Sequence, residues 1–139
     1  MQSVIVKELY TAEVRTTGGR AGHTTSSDGI LDLDLARPGS SRGTNPEQLL
    51  AAGWSACFQS ALAHAGRTRG IDTSASVVTA KVTLGNEADG GYALKASLRI
   101  QIPGIELDIA QELVEEAHRT CPYSKATRGN IDASVEAIS

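Results

Sequence analysis

Polar and apolar positions divide the chain into segments of two different periods. Residues 4–17 are rich in Val, Ile, Tyr and Thr, and Gly18-Gly19 follows as a turn signal, so a strand is expected there. A second strand is expected over residues 20–27, closed by Asp28-Gly29. Ile30, Leu31, Leu33 and Leu35 then alternate with Asp32 and Asp34, the period of a half-buried strand. Together the three predict a β-meander.

Residues 36–45 have the composition of a loop, and the period changes after them. Asn45 can cap a helix, Pro46 suits its first position, and Glu47 favours the positive end of its dipole. The helix is expected to run to about Arg69, with Gly66 and Gly70 as exit signals. Between Glu47 and Arg67 it carries no acidic or basic residue. Leu50, Trp54, Cys57, Phe58, Ala61, Leu62 and Ala65 share one face, while Leu49, Ala52, Gly53, Ala56 and Ala63 lie on another. A helix apolar on most sides is a buried helix. Gln48, Ser55, Gln59, Ser60 and His64 interrupt the run, which argues against a membrane span. The small residues allow close helix–helix approach. No second such helix is evident in the chain, so a partner subunit is the expected source.

Two further strands are expected over residues 74–85 and 92–102, joined by a turn through 86–91 and ended by Pro103-Gly104. Asp108 with Gln111 has the form of a capping box. The helix it opens sets Ile109, Leu113, Ala117 and Cys121 on one stripe, and Pro122 stops it. Arg128-Gly129-Asn130 turns into a last strand, 131–138. The order is βββ-α-ββ-α-β, an α+β class. With 139 residues, no internal repeat and no linker, one domain over 1–139 is expected.

Composition narrows the function. Thirteen Lys+Arg against sixteen Asp+Glu give a net charge of −3, without the basic excess of a nucleic-acid binder. The aromatic residues are Tyr10, Trp54, Phe58, Tyr92 and Tyr123, so few that a monomer would have a lean core. The start, MQSVIVKELY, lacks the pattern of a signal peptide, and a cytoplasmic, reducing location is expected. Two cysteines, Cys57 and Cys121, exclude a disulfide scaffold and an all-cysteine metal site. Buried structural thiols and a redox pair both remain open. A metal site would need His23, His64 or His118, none at a ligand-like spacing from a cysteine.

A reactive Cys57 would face an obstacle. It lies some ten residues into its helix, beyond the reach of the N-terminal dipole, and burial near Trp54, Phe58 and Leu62 would raise its pKa. No Lys or Arg stands within a helical turn, so a cation must come from elsewhere in the fold. Arg20 is one candidate among several.

Several segments carry a resemblance. They are Gly19-Arg20-Ala21-Gly22-His23, Asn45-Pro46-Glu47-Gln48-Leu49, Ala52-Gly53-Trp54-Ser55-Ala56-Cys57-Phe58, Cys121-Pro122-Tyr123-Ser124 and Ala126-Thr127-Arg128-Gly129-Asn130. In this order, over essentially the whole chain, they resemble the organic hydroperoxide resistance (Ohr) proteins of the OsmC-like superfamily. The CPYS and ATRGN stretches look more like the Ohr branch than the OsmC branch. The resemblance implies an intertwined α+β homodimer with a buried central helix. It implies a thiol peroxidase that prefers organic hydroperoxides to hydrogen peroxide and is recycled by a lipoyl dithiol or lipoylated protein. Cys57 resembles the peroxidatic cysteine, Cys121 the resolving one, Arg20 the catalytic arginine and Glu47 its carboxylate partner. No bound cofactor and no metal are implied. Two positions depart from the pattern: Trp54 stands where Tyr is expected and Lys125 where Asn is common. Neither is one of the four catalytic positions, although Trp54 could reshape the substrate pocket.

Glu47 and Cys57 are ten residues apart on one expected helix, roughly 15 Å of axial rise. They cannot meet around one arginine on a straight helix, so Glu47 is expected from the other subunit, giving two composite sites. The rival expectation is a non-catalytic small-molecule binder or redox sensor on the same fold.

Overall fold

The computed structural model describes residues 3–139, which form two compact units, one up to Pro46 and one over Glu47–Ser139.

The first unit is a three-stranded antiparallel sheet, β1 (Val14–Thr17), β2 (His23–Ser26) and β3 (Asp32–Asp34), in the order β1-β2-β3. This is the expected meander, with shorter strands. Residues 3–13 are not strand, and Val4, Ile5, Val6, Leu9 and Tyr10 are all exposed. Strand composition is not enough without a partner: the ladder begins only at Glu13, whose carbonyl accepts the Ser27 N–H at 2.9 Å. The second strand also starts later than expected, because residues 19–21 form a 3₁₀ turn carrying Arg20. One face of this sheet holds Arg15, Thr17, His23, Thr25, Asp32 and Asp34, which fall opposite one another in register. On β2, the alternate residue Thr24 is buried and its hydroxyl lies 2.9 Å from that of Thr16.

The second unit opens with α1 (Pro46–Thr68), followed by β4 (Val77–Asn86), β5 (Tyr92–Gln101), α2 (Leu107–Thr120), α3 (Pro122–Thr127) and β6 (Asp132–Ile138). The sheet order is β4-β5-β6, with β4 antiparallel and β6 parallel to β5. Alternation sorts its faces. Ala96, Leu98 and Ile100 of β5 are buried, with Val78, Ala80 and Val82 of β4 and Ala133, Val135 and Ala137 of β6 opposite them in register. Lys95, Arg99, Lys81, Asp132 and Glu136 occupy the other parity, with Lys95 opposite Asp132 and Arg99 opposite Glu136. The apolar face joins Trp54, Phe58, Leu62 and Ala65 of α1 and Ala110, Leu113, Val114 and Ala117 of α2 in one core. β6 is an edge strand. Its Ala137 N–H, on that edge, is accepted by Gln111 Oε1 of α2 at 2.8 Å.

One expectation is corrected here. Asp108 and Gln111 do not form a capping box: Glu106 is the N-cap of α2, without a side-chain cap, and Gln111 is turned to β6 and Glu115 instead. The single chain buries only one face of α1. Trp54, Phe58 and Leu62 are fully enclosed, whereas Ala52, Ala56, Gln59 and Ser60 are exposed. Among the described residues no helix is long and apolar enough to cross a membrane.

Candidate functional site

The site is built around Cys121. This residue ends one helix and begins the next. Its N–H is donated to the Ala117 carbonyl of α2 at 2.8 Å, and its own carbonyl accepts the Lys125 N–H of α3 at 2.9 Å. Its backbone is extended (φ −61°, ψ 123°). Pro122 explains both events. It has no N–H to continue α2, and its fixed φ suits the first position of α3. The side chain of Cys121 is thereby turned into the core and is fully buried.

Cys57, half-buried on α1, meets it there. Cys57 packs against the core cluster that includes Cys121, and the adjacent Cys121 thiol and the Tyr123 backbone N–H both act on its sulfur. That N–H belongs to the first turn of α3, where backbone donors have no partner within their own helix. Both cysteines are free thiols. The electrostatics are unfavourable to a thiolate. Burial raises the Cys57 pKa most, the adjacent Cys121 raises it further, and the Tyr123 N–H opposes them.

Two contacts of α3 with α1 fix this arrangement. Trp54 donates its indole N–H to Ser124 Oγ at 3.3 Å, with both side chains fully buried. The Tyr123 ring lies against α1 at Gly53, where a Cβ would stand 2.8 Å from the phenol oxygen and 3.2 Å from Cζ. Gly53 permits that approach because it has no side chain. Trp54 is therefore a buried anchor for α3. Gly53, Tyr123 and Ser124 were missed as site residues by the sequence reading. The signal was present in the proline after Cys121, which starts a helix as well as stopping one.

Glu47 lies in the first turn of α1, on the same continuous helix as Cys57 and ten residues before it. Arg20 stands in the N-terminal unit, on the turn between β1 and β2. That turn is tightly made. Gly18 is left-handed (φ 77°), and a Cβ on Gly22 would lie 1.7 Å from the Thr17 carbonyl oxygen. Of the histidines, His118 has its pKa lowered, first by burial and then by Arg128. His23 lies between Asp34 and Asp32.

A fold of this order, with two neighbouring thiols beside a helix start, places the chain in a known class. The model of the OsmC-like protein family matches residues 38–136. Organic hydroperoxide resistance protein OhrB of Bacillus subtilis is 45% identical over 132 residues, covering 92% of this chain and 97% of that protein. The organic hydroperoxide resistance protein of Xanthomonas axonopodis pv. citri is 42% identical over 135 residues, covering 93% and 94%. The crystal structure of Bacillus subtilis OhrB superposes with a TM-score of 0.89 over 94% of this chain and 100% of that one. An organic hydroperoxide resistance protein structure from Vibrio cholerae, 37% identical, gives 0.91 over 98% and 96%. The chain belongs to the OsmC-like family, in its organic hydroperoxide resistance branch.

Proposed function

We propose that this protein is a two-cysteine peroxidase that reduces organic hydroperoxides to alcohols. The observation that carries the reading is the neighbouring pair Cys57 and Cys121, both free thiols, brought together in the core where α3 packs on α1. The Cys57 thiolate attacks one oxygen of the peroxide and breaks the O–O bond. Cys57 is oxidised to sulfenic acid, and the alkoxide takes a proton and leaves as the alcohol. The Cys121 thiol then attacks the sulfenic sulfur, giving the Cys57–Cys121 disulfide and water. A lipoyl dithiol, free or carried by a lipoylated protein, reduces that disulfide by exchange and is itself oxidised to the cyclic disulfide.

Arg20 is proposed as the cation that the upshifted thiol requires, stabilising the thiolate and polarising the O–O bond. Glu47 holds the guanidinium in a bidentate pair. Because Glu47 and Cys57 are separated along one helix, the carboxylate is assigned to the partner subunit of a homodimer. The names of the relatives support the substrate class: the Bacillus subtilis and Xanthomonas proteins are called organic hydroperoxide resistance proteins.

Steady-state turnover tests this. Cumene hydroperoxide with dihydrolipoamide is expected to give many turnovers, hydrogen peroxide far fewer, and Cys57→Ser none. A protein that oxidises once without turning over is a sensor, and one that never oxidises is a binder. Persistent activity in Cys57→Ser would overturn the catalytic assignment.

A further inference from the structure

His23 is the first residue of β2 and closes the hairpin that carries Arg20. It is paired across the sheet with Thr17, the last residue of β1, and with Asp34 of β3. The whole turn, residues 18–22, spans the gap between Thr17 and His23. Its internal backbone bonds are long: Ala21 N–H to Gly18 O at 3.3 Å and Gly22 N–H to Gly19 O at 3.2 Å. Its exit is tied to the third strand by the Leu35 N–H, donated to Gly22 O at 2.8 Å. What holds β2 to β3 at this end therefore governs the turn.

The His23 ring supplies that hold. Nδ1 lies 2.7 Å from Asp34 Oδ1, and Nε2 is bonded to Asp32 Oδ1. The two carboxylates are two residues apart on β3, so they project from one face and bracket the ring. Ionised carboxylates only accept hydrogen bonds, and only the imidazolium has two N–H donors. A neutral ring would set a lone pair against one of the carboxylates. The other charged groups on this face are Arg15 of β1 and Glu13 just before it, which line a cleft together with Thr17, His23 and Thr25.

We infer that His23 is a positioning residue: clamped as an imidazolium between Asp32 and Asp34, it pins the root of the Arg20 turn to β3 and so fixes how the guanidinium is presented. The catalytic consequence rests on the peroxidase reading above; the clamp rests on the geometry of the sheet alone. Its pH dependence has a definite sign. The His23 pKa is raised above 6.5, first by Asp34 and then by Asp32. The clamp is complete below the ordinary histidine pKa and is lost as pH rises through the raised value.

The test uses the full chain with three readouts: the NMR titration of the His23 ring, amide exchange of residues 18–35, and kcat/KM for cumene hydroperoxide across pH. In the wild type, the ring titrates above the ordinary value, turn protection declines through that pKa, and kcat/KM divided by the Cys57 thiolate fraction (read from the alkylation profile) declines with it. In Asp34→Asn, all three transitions move to lower pH. In His23→Gln, exchange in the turn rises and kcat/KM below the transition falls by up to about a hundredfold, the scale of a catalytic group displaced by about 1 Å. His23→Arg, permanently charged, is expected to restore protection and rate while removing the pH transition. Unchanged exchange and pH profile in folded His23→Gln would overturn the clamp. Loss of protection without loss of rate would overturn the positioning role. A wild type inactive on every peroxide would instead overturn the peroxidase reading, and exchange and ring titration would still decide the clamp.

Discussion

Cys57 is a thiol that its immediate surroundings hold in the protonated form. Burial and the neighbouring Cys121 both raise its pKa, and one backbone N–H is not enough to reverse them. The raised value means that the reactive fraction grows with pH and is small at neutrality unless a cation is near. If Arg20 is that cation, Arg20→Ala moves the pH midpoint of Cys57 alkylation upward. Iodoacetamide should then react at neutral pH about tenfold more slowly for each unit of that shift. An unchanged alkylation profile would remove Arg20 from the mechanism. Cys121→Ser separates the two chemical steps. It is expected to hold Cys57 as sulfenic acid after one equivalent of peroxide, detected as a dimedone adduct by mass spectrometry. The cysteine positions were legible in the sequence, as were Arg20 and Glu47 as candidates. The nearness of the two thiols was not, because it depends on a chain direction that only the fold sets.

At the scale of elements, α3 decides the site. It presents the Tyr123 N–H to Cys57, and its Ser124 satisfies the buried indole of Trp54. Ser124→Ala leaves that donor unpaired in the core and is expected to cost about 1–3 kcal/mol in urea unfolding. A loss near zero would mean that the indole finds another partner. On the other unit, Gly22→Ala places a methyl against the Thr17 carbonyl and must open the Arg20 turn. Activity is expected to fall steeply, with a stability cost of about 1–3 kcal/mol. The long helix, the β4–β5 pair and the β6 strand were readable because their periods are regular and their ends carry Pro, Gly or Asn signals. The short α3 was not, because a proline that ends one helix leaves the same signal as one that opens the next. The strand expected over residues 4–13 failed for a different reason: a strand is completed by its neighbour, and composition does not say whether one is present. Gln111 gives a misleading capping signal because a residue suited to capping is equally suited to bonding the edge of a sheet.

For the whole molecule, the exposed small residues of α1 and the apolar Val4, Ile5, Val6, Leu9 and Tyr10 are what a single chain leaves uncovered. They support the proposed homodimer, and sedimentation equilibrium is expected to give twice the 14.5 kDa chain mass. Mixed dimers of Cys57→Ser with Glu47→Ala subunits then test the composite site. If Glu47 serves the partner's Cys57, the surviving cysteine belongs to the Glu47→Ala subunit and draws on the intact Glu47 of its partner, so one of the two sites keeps both groups. About half the wild-type activity per dimer is expected. Activity no higher than that of the Glu47→Ala homodimer would place both groups in one subunit. The central claim, that Cys57 and Cys121 are a working redox pair, has a more direct measurement. Free thiols are counted on the reduced protein before and after one equivalent of cumene hydroperoxide, and again after dihydrolipoamide. The account predicts the rapid loss of both thiols per chain, a single peptide crosslink between Cys57 and Cys121, and full recovery with the dithiol. Retention of both thiols, or their loss without that crosslink, would contradict it.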